Sequence, residues 1–308
     1  MINRDSKENK YQIINEQDSS FLFEESLDLS KMKLDIEELP NTIVDPIPRS
    51  LSDIPKTITS IKELDDLKTM LGWFHSQGYH FLFRGHADKS FRLLSTIVRN
   101  KVRDYSQEKE ILESFKSISK SFGYDKYYMD SFDENLFYLG IGRHLGLFSR
   151  LIDWTAEIYD ALSFLMDDMF VDKDGELFIL AFQKDEAEFE NRDPFLIDDN
   201  KAHVLQEHYF LPDETDFPLG IYRRFRQHGF FTAQSEELLN IPLEKLAEQS
   251  GFRLFKVAIP KETKAFLKDC NELVSLDWLY VDNNELILKE IEKLNAEFDS
   301  IHTIIPTT

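Results

Sequence analysis

The sequence holds a single cysteine, Cys270, so it can form neither an intrachain disulfide nor a cysteine-based metal cage. It has no run of about 18 apolar residues, which argues against a membrane span. The first stretch, residues 1–14, is polar and lacks the apolar segment of a signal peptide. Together these absences predict a cytoplasmic protein with no membrane partner.

Positive charge is also scarce. The 308 residues include 36 Lys and Arg against 57 Asp and Glu, and the formal net charge is −21. A surface of this sign repels a phosphate backbone, whereas nucleic-acid binding depends on neutralising several phosphates. The composition therefore argues against nucleic acid as a partner, unless a local basic cleft overrides the global field.

Common catalytic signatures are missing as well. The chain has no GxxxxGK[ST] phosphate loop, no GxSxG turn and no HExxH helix. Its eight histidines and many carboxylates show no diagnostic metal-ligand spacing. No metal site is predicted.

Composition divides the chain into an acidic N-terminal arm, residues 1–57, and a main domain, residues 58–308. The arm is interrupted by prolines at positions 40, 46, 48 and 55. It either packs on the surface of the domain or is a segment that forms oligomers or binds a protein partner, such as an antitoxin. A second acidic, proline-bearing stretch, about residues 183–219, is predicted to be an insertion in the domain.

The periodicity of apolar residues predicts an α+β fold, with helices around a small mixed or antiparallel sheet. A capping box at Ser60 and Glu63 marks the start of the first helix, and Gly78 ends it. Further helices are predicted at 107–122, 134–145, 156–168, 203–209, 261–271 and 284–298. Strands are predicted at 79–83, 176–182, 230–233 and 253–259.

The arginines are the most informative residues. There are thirteen, and eight fall in three windows, at 84, 92 and 99, at 143 and 150, and at 223, 224 and 226. The guanidinium presents a rigid fork that suits phosphate or carboxylate, so the set favours one shared anion-binding cleft. The alternative is that each arginine pairs with a nearby acid, as Arg150 would with Asp153.

The first two windows supply most of the candidate site. Arg84 is predicted at the end of a buried strand, and Gly85 allows a sharp turn or the close approach of a ligand. His144 and Arg150 lie on either side of one turn. Asp153 or Thr155 caps the next helix, whose free amides favour an anion.

The third window adds Gln227, which precedes an aromatic strand and is expected to project into the same cleft. Glu236 follows that strand. It is either a surface charge or a residue that reaches a ligand.

These windows together resemble the FRG domain family, over about residues 60–295. The similarity rests on Phe83-Arg84-Gly85, on Leu93 to Arg99, on His144 to Thr155, on Ala161 to Phe164, on Gln227 to Phe231, and on Leu276 to Ile291. The resemblance implies a role in bacterial defence against phage or in toxicity.

A strand that ends in aromatic-Arg-Gly also resembles the first motif of arginine-type ADP-ribosyltransferases, so an ADP-ribosyltransferase-like fold is one option. The analogy implies NAD as the cofactor, with its diphosphate on Arg84 and Arg150 and its ribose or nicotinamide near His144. Gln227 or Glu236 would stabilise the oxocarbenium-like centre. Gly85, Arg99, Asp153 and Thr155 complete the predicted binding set.

Two other functions stay open. The first is a non-enzymatic module that senses a nucleotide or a phage component through the arginine cleft. The second is a nuclease-like toxin in which His144 and Arg84 act on a phosphodiester, although the negative net charge opposes it. All three functions require the distant windows to meet around a common cleft.

Overall fold

The structure is a computed structural model, and it describes residues 50–102, 104–183, 190–206, 229–268 and 285–302. All of these belong to one compact unit, Pro48–Thr308. Residues 1–49 of the predicted arm lie outside the described residues, as do Cys270 and the first part, Leu276 to Asn284, of the predicted motif Leu276 to Ile291.

A six-stranded antiparallel sheet forms the centre of the fold. The strands are β1 (Tyr79–His86), β2 (Ile152–Thr155), β3 (Gly175–Gln183), β4 (Ala202–Leu205), β5 (Gly229–Gln234) and β6 (Arg253–Ile259). Their order across the sheet is β4-β5-β2-β1-β3-β6. The predicted α+β class is confirmed, and the sheet is the antiparallel alternative.

The ladder between β1 and β2 is much shorter than its neighbours. β1 pairs with β3 from Tyr79 to His86, but it pairs with β2 only at Phe83 and Thr155. Beyond that pair the two strands separate, so Arg84 to His86 have no ladder partner on the β2 side. The sheet therefore opens between its two central strands.

Helices surround the sheet. They are α1 (Ile61–Ser76), α2 (Thr96–Arg99), α3 (Gln107–Ser121), α4 (Glu134–His144), α5 (Ile158–Leu165), α6 (Leu243–Leu246), α7 (Lys261–Leu267) and α8 (Glu285–His302). In the described part of the chain, no helix combines the length and the apolar character that crossing a membrane requires.

Both faces of β3 are buried. Its residues alternate between two core clusters, with Leu177, Ile179 and Ala181 packing on the side of α1 and α5, and Phe178, Leu180 and Phe182 in the other. A strand covered on both faces is continuously apolar rather than alternating. A third cluster joins α3, α4 and α8, with Phe115, Leu139 and Phe298 fully buried.

The structure corrects three sequence-based assignments. The segment around His203, predicted as a helix, forms β4. Ile152 to Thr155, predicted as the approach to a helix, forms β2. Arg84 and Gly85 lie inside β1 rather than at its end, because β1 continues to His86 along β3.

Candidate functional site

A cavity of about 360 Å³ lies where β1 and β2 separate. Six of the predicted site residues line it, namely Arg84, Gly85, Arg99, His144, Asp153 and Thr155. Arg150 and Glu236 are not among its lining residues. Gln227 lies outside the described residues. A volume of this order suits a small organic ligand.

Arg84 projects from β1 across the gap towards β2. Its Nη1 donates to the backbone oxygen of Asp153 at 2.6 Å and lies 3.4 Å from the Asp153 Oδ2. Its Nε donates to the His86 Nε2 at 3.0 Å. The guanidinium thus connects β1 to β2 at the point where the two strands have no backbone pairing.

Asp153 is shared by two arginines. Its Oδ2 accepts from the Arg143 Nη2 at 2.5 Å as well as from Arg84. Burial alone would raise the pKa of Asp153, but Arg143 and Arg84 outweigh it and hold that pKa below its ordinary value. The carboxylate therefore stays ionised and is a weak proton acceptor.

Arg99 is the third guanidinium of the cavity. It ends α2, it is exposed, and its guanidinium has no hydrogen bond or ion pair with any of the described residues. Partial desolvation, followed by the charges of Arg84 and Arg143, lowers the pKa of Arg99 to about 10. The group is still charged at neutral pH, but its neighbours make that charge unfavourable.

His86 links the strand to the next loop. Its Nε2 accepts from Arg84 Nε, and its Nδ1 is 3.3 Å from the Phe91 carbonyl oxygen. This pattern assigns the proton to Nδ1. Desolvation, with the charge of Arg84 next, lowers the pKa of His86 to about 3, so the imidazole is neutral.

The last turn of α4 brings two further groups to the cavity, Arg143 and His144. A helix C-terminus favours cations, because its unpaired carbonyl groups carry partial negative charge. The His144 ring lies 5.4 Å from the Phe231 ring and is nearly buried. α4 is followed, after Leu145, by Gly146, whose φ of 99° suits glycine.

Thr155 begins the entry to α5. Its Oγ1 accepts from the Glu157 backbone N at 3.0 Å and is 3.3 Å from Asp160 Oδ2. The prediction that Asp153 or Thr155 caps this helix is wrong, because the N-cap is Glu157 and Thr155 bonds to the backbone N of that residue. Asp153 lies in β2 and bonds to arginines instead.

Gly85 has a packing role. A Cβ at this position would lie 1.9 Å from the Ala161 carbonyl oxygen, which belongs to α5. Only glycine allows α5 to pack this close to β1. The turn expected at Gly85 is absent because the strand continues.

Arg150 lies away from the cavity, in a buried ion pair. Its Nε donates to the Glu108 Oε2 at 2.8 Å, and its backbone N donates to Oε1 at 2.7 Å. The guanidinium stacks on Phe195, with 4.3 Å from Cζ to the ring centroid. The expected Arg150–Asp153 pair is wrong, because each residue pairs with a different partner.

The segment Gln234-Ser235-Glu236, which has the letters of a Gln-x-Glu pair, does not line the cavity. Gln234 Nε2 donates to the carbonyl oxygens of Leu238 and Ile241, at 2.5 and 3.0 Å, and so fixes the turn after β5. Glu236 is exposed in that turn. Neither residue lines the cavity.

Comparison with protein families identifies the part of the chain that builds this site. A family model of the FRG domain matches residues 79–174. The chain contains an FRG domain. No curated protein and no solved structure matches the chain.

The segment that the FRG model matches begins with the first residue of β1 and ends just before β3. Every residue that lines the cavity lies inside it. Gln227 and Glu236 follow it in the sequence. The cavity is therefore a feature of the FRG domain itself.

Further residues of the matched segment line the cavity beyond the predicted set, among them Arg143, His86, Phe91 and Phe170. Arg143 belongs to the second arginine window and directly precedes His144, so its position in the sequence could have identified it as a site residue. His86 directly follows the Phe83-Arg84-Gly85 triplet. Phe91 and Phe170 carry no sequence signal that separates them from core phenylalanines. Among the described residues, no cluster of His, Cys, Asp or Glu could hold a metal ion.

Proposed function

We propose that the FRG domain of this protein binds the phosphate group of a small molecule. The observation that carries the proposal is the set of three guanidiniums, from Arg84, Arg99 and Arg143, around one cavity. Asp153 pairs with two of them. Asp167, the other acidic lining residue, accepts from the Met169 backbone N at 2.9 Å.

The charge balance favours an anionic ligand. Like charges that share a small cavity repel each other, and after desolvation the charges of Arg84 and Arg143 are the next causes of the lowered pKa of Arg99. A phosphate or diphosphate placed among them would relieve that repulsion and accept charge-assisted hydrogen bonds. The Arg143 Nε is buried and without a hydrogen-bond partner among the described residues, so it is available as a donor.

Two of the titratable groups that line the cavity, Asp153 and His86, support binding rather than general acid–base catalysis. General acid–base catalysis works best with a group whose pKa lies near the operating pH. Asp153 has a lowered pKa, and the pKa of His86 is about 3. Neither group exchanges protons readily at neutral pH. This agrees with the non-enzymatic sensing module that was one of the three functions considered from the sequence.

Calorimetric titration of the full chain with pyrophosphate tests the proposal. Arg99→Ala should weaken binding at least tenfold, since a hydrogen bond to a charged group contributes about 1.5–3 kcal/mol. Arg92→Ala is the matched control, because Arg92 is exposed on the same segment and does not line the cavity. Equal affinities in wild type and Arg99→Ala, or no binding by wild type, would refute the proposal.

A second candidate is NAD-dependent ADP-ribosyl transfer. The observation that favours it is the position of Arg84, at the point where the β1–β2 ladder opens beside the cavity. Its test is the release of nicotinamide from NAD in the presence of cell lysate, with Arg84→Ala as the inactive variant. Binding of NAD without release of nicotinamide would leave the binding module as the function.

A further inference from the structure

Two phenylalanine rings, Phe91 and Phe170, line the cavity together with the arginines. Their centroids are 5.3 Å apart, in an edge-to-face arrangement with an interplanar angle of 84°. Phe91 is 38% exposed, and neither ring belongs to any of the three core clusters. The two rings therefore form an aromatic surface of the cavity and are not part of the hydrophobic core.

Buried polar groups hold both of these residues by their backbones. Lys264, which is 3% exposed, donates from Nζ to the Phe170 carbonyl oxygen at 3.1 Å and to the Ala87 carbonyl oxygen at 2.6 Å. His86 Nδ1 contacts the Phe91 carbonyl oxygen. A buried lysine is energetically unfavourable unless its charge is well solvated by such partners. The two rings therefore extend from fixed points of the backbone.

The aromatic and the cationic parts of the cavity are joined by one side chain. His86 contacts the backbone of Phe91 through Nδ1 and accepts from the Arg84 Nε through Nε2. Because the imidazole is neutral, with a pKa of about 3, this connection persists at neutral pH. The position of Arg84 is thus coupled to that of the Phe91 segment.

We infer that the ligand is a nucleotide, with its phosphates on Arg84, Arg99 and Arg143 and its base against Phe91 and Phe170. This inference rests on the proposed function and adds the class of the ligand. A base offers a planar π-face to an aromatic ring, and that stacking depends little on the identity of the base. A sugar phosphate or inorganic phosphate would leave the two rings facing water.

The test compares ligands that share a diphosphate but differ in the base. The full chain is titrated calorimetrically with pyrophosphate and with ADP, GDP, CDP and UDP. At least one nucleotide should bind tenfold or more tightly than pyrophosphate, a difference of about 1.4 kcal/mol. Phe91→Ala should remove that preference, so that this variant binds nucleotides and pyrophosphate with similar affinity.

Two further variants separate a binding effect from a folding effect. Phe91→Leu keeps an apolar side chain without a π-face and should also lose the preference. Phe266→Ala is the control, because Phe266 is 64% exposed on α7 and does not line the cavity. It should bind every ligand as the wild type does.

The outcomes distinguish this inference from the function on which it rests. If pyrophosphate and all four nucleotides bind equally and Phe91→Ala and Phe91→Leu change nothing, the nucleotide inference is wrong while phosphate binding stands. If pyrophosphate and nucleotides all fail to bind, both are wrong. A preference that survives in Phe91→Leu would place the base elsewhere and would also overturn the inference.

Discussion

At the scale of single residues, Arg150 and Arg99 carry the same guanidinium in different environments. Arg150 is 2% exposed and pairs with Glu108, which is 1% exposed. Arg99 lines the cavity without a partner among the described residues. Removing one member of a buried ion pair leaves an uncompensated charge, whereas removing an unpaired cation relieves repulsion. Substitution of Arg150 should therefore affect mainly the stability of the fold, whereas substitution of Arg99 should affect mainly ligand binding.

We expect Arg150→Ala to lower the free energy of unfolding by about 3–5 kcal/mol, because Glu108 would stay buried without its partner. Urea denaturation measures this loss. Calorimetry at a temperature where the variant is folded should give a pyrophosphate affinity within about twofold of the wild-type value. A folded Arg150→Ala protein that binds as weakly as Arg99→Ala would return Arg150 to the binding site.

Asp153→Asn should affect stability and binding in opposite directions. Loss of the carboxylate removes the ion pairs to Arg84 and Arg143, and the free energy of unfolding should fall by about 2 kcal/mol. The cavity also loses a negative charge, so the affinity for pyrophosphate should rise by roughly tenfold. Urea denaturation and calorimetry on the same preparation measure both. A fall in affinity would mean that Asp153 mainly orients the arginines.

His86 gives a pH dependence of defined sign. Its pKa is about 3 in the folded protein, below the ordinary value of 6.5. As the pH falls from 6.5 towards 3, the unfolded chain binds a proton at this imidazole that the folded chain does not. The contribution of the neutral His86 to the free energy of unfolding is therefore fully present above pH 6.5. Below pH 6.5 the free energy of unfolding falls by about 1.4 kcal/mol per pH unit.

Chemical denaturation between pH 7 and pH 4 measures this slope. His86→Gln keeps a donor and an acceptor without the titration, so its stability should fall less steeply than that of the wild type. His75→Gln removes a histidine that does not line the cavity and should keep the wild-type slope. Parallel curves for the wild type and His86→Gln would contradict the neutral, buried state of His86.

At the scale of elements, the sequence predicted those whose signal is local. The helix α3 (Gln107–Ser121) and the strand β6 (Arg253–Ile259) lie within a residue of their predicted bounds, because a long apolar period or a run ended by proline defines each. The strands β2 and β4 have four residues each and lack such a signal. Both are held by pairing with β5, whose position in the fold is not a local property.

The candidate site was predictable only in part. Residues of the FRG motifs in two windows, among them Arg84 and His144, do meet at one cavity. Arg150 does not, since its partner Glu108 lies 42 residues away and the sequence offers 57 acidic residues as alternatives. The aromatic part of the cavity was not predictable, because the exposure of Phe91 and Phe170 depends on tertiary packing.

Gly85→Ala tests the close contact between β1 and α5 at a residue that lines the cavity. The new Cβ would overlap the Ala161 carbonyl oxygen, which is backbone and cannot move without α5. The free energy of unfolding should fall by about 3 kcal/mol or more. Gly78→Ala is the control: no atom lies within 4 Å of its Cβ, and at a φ of +88° it should cost only about 1–2 kcal/mol. Equal losses, measured by urea denaturation, would contradict the close approach of α5.

At the scale of the whole molecule, the cavity and the chain have opposite electrostatic character. The net charge is −21, whereas the lining residues include three arginines and two aspartates. Long-range repulsion falls off within about 10 Å at 0.1 M salt, so a small anion that reaches the cavity meets mainly the local arginines. A polyanion extends beyond the cavity and meets the acidic surface as well.

We therefore expect the cavity to select small phosphates over nucleic acid. A single-stranded DNA or RNA 20-mer at 0.15 M salt should not displace bound pyrophosphate, although the oligonucleotide carries many more phosphates. Competition calorimetry measures the displacement, and unlabelled pyrophosphate in excess is the positive control.

The same oligonucleotides should stay intact on incubation with the protein, as gel electrophoresis would show. Displacement at equal phosphate concentration, or cleavage that is lost in Arg84→Ala, would instead favour the nuclease-like function, because only a substrate contact strong enough to overcome the acidic surface could produce it.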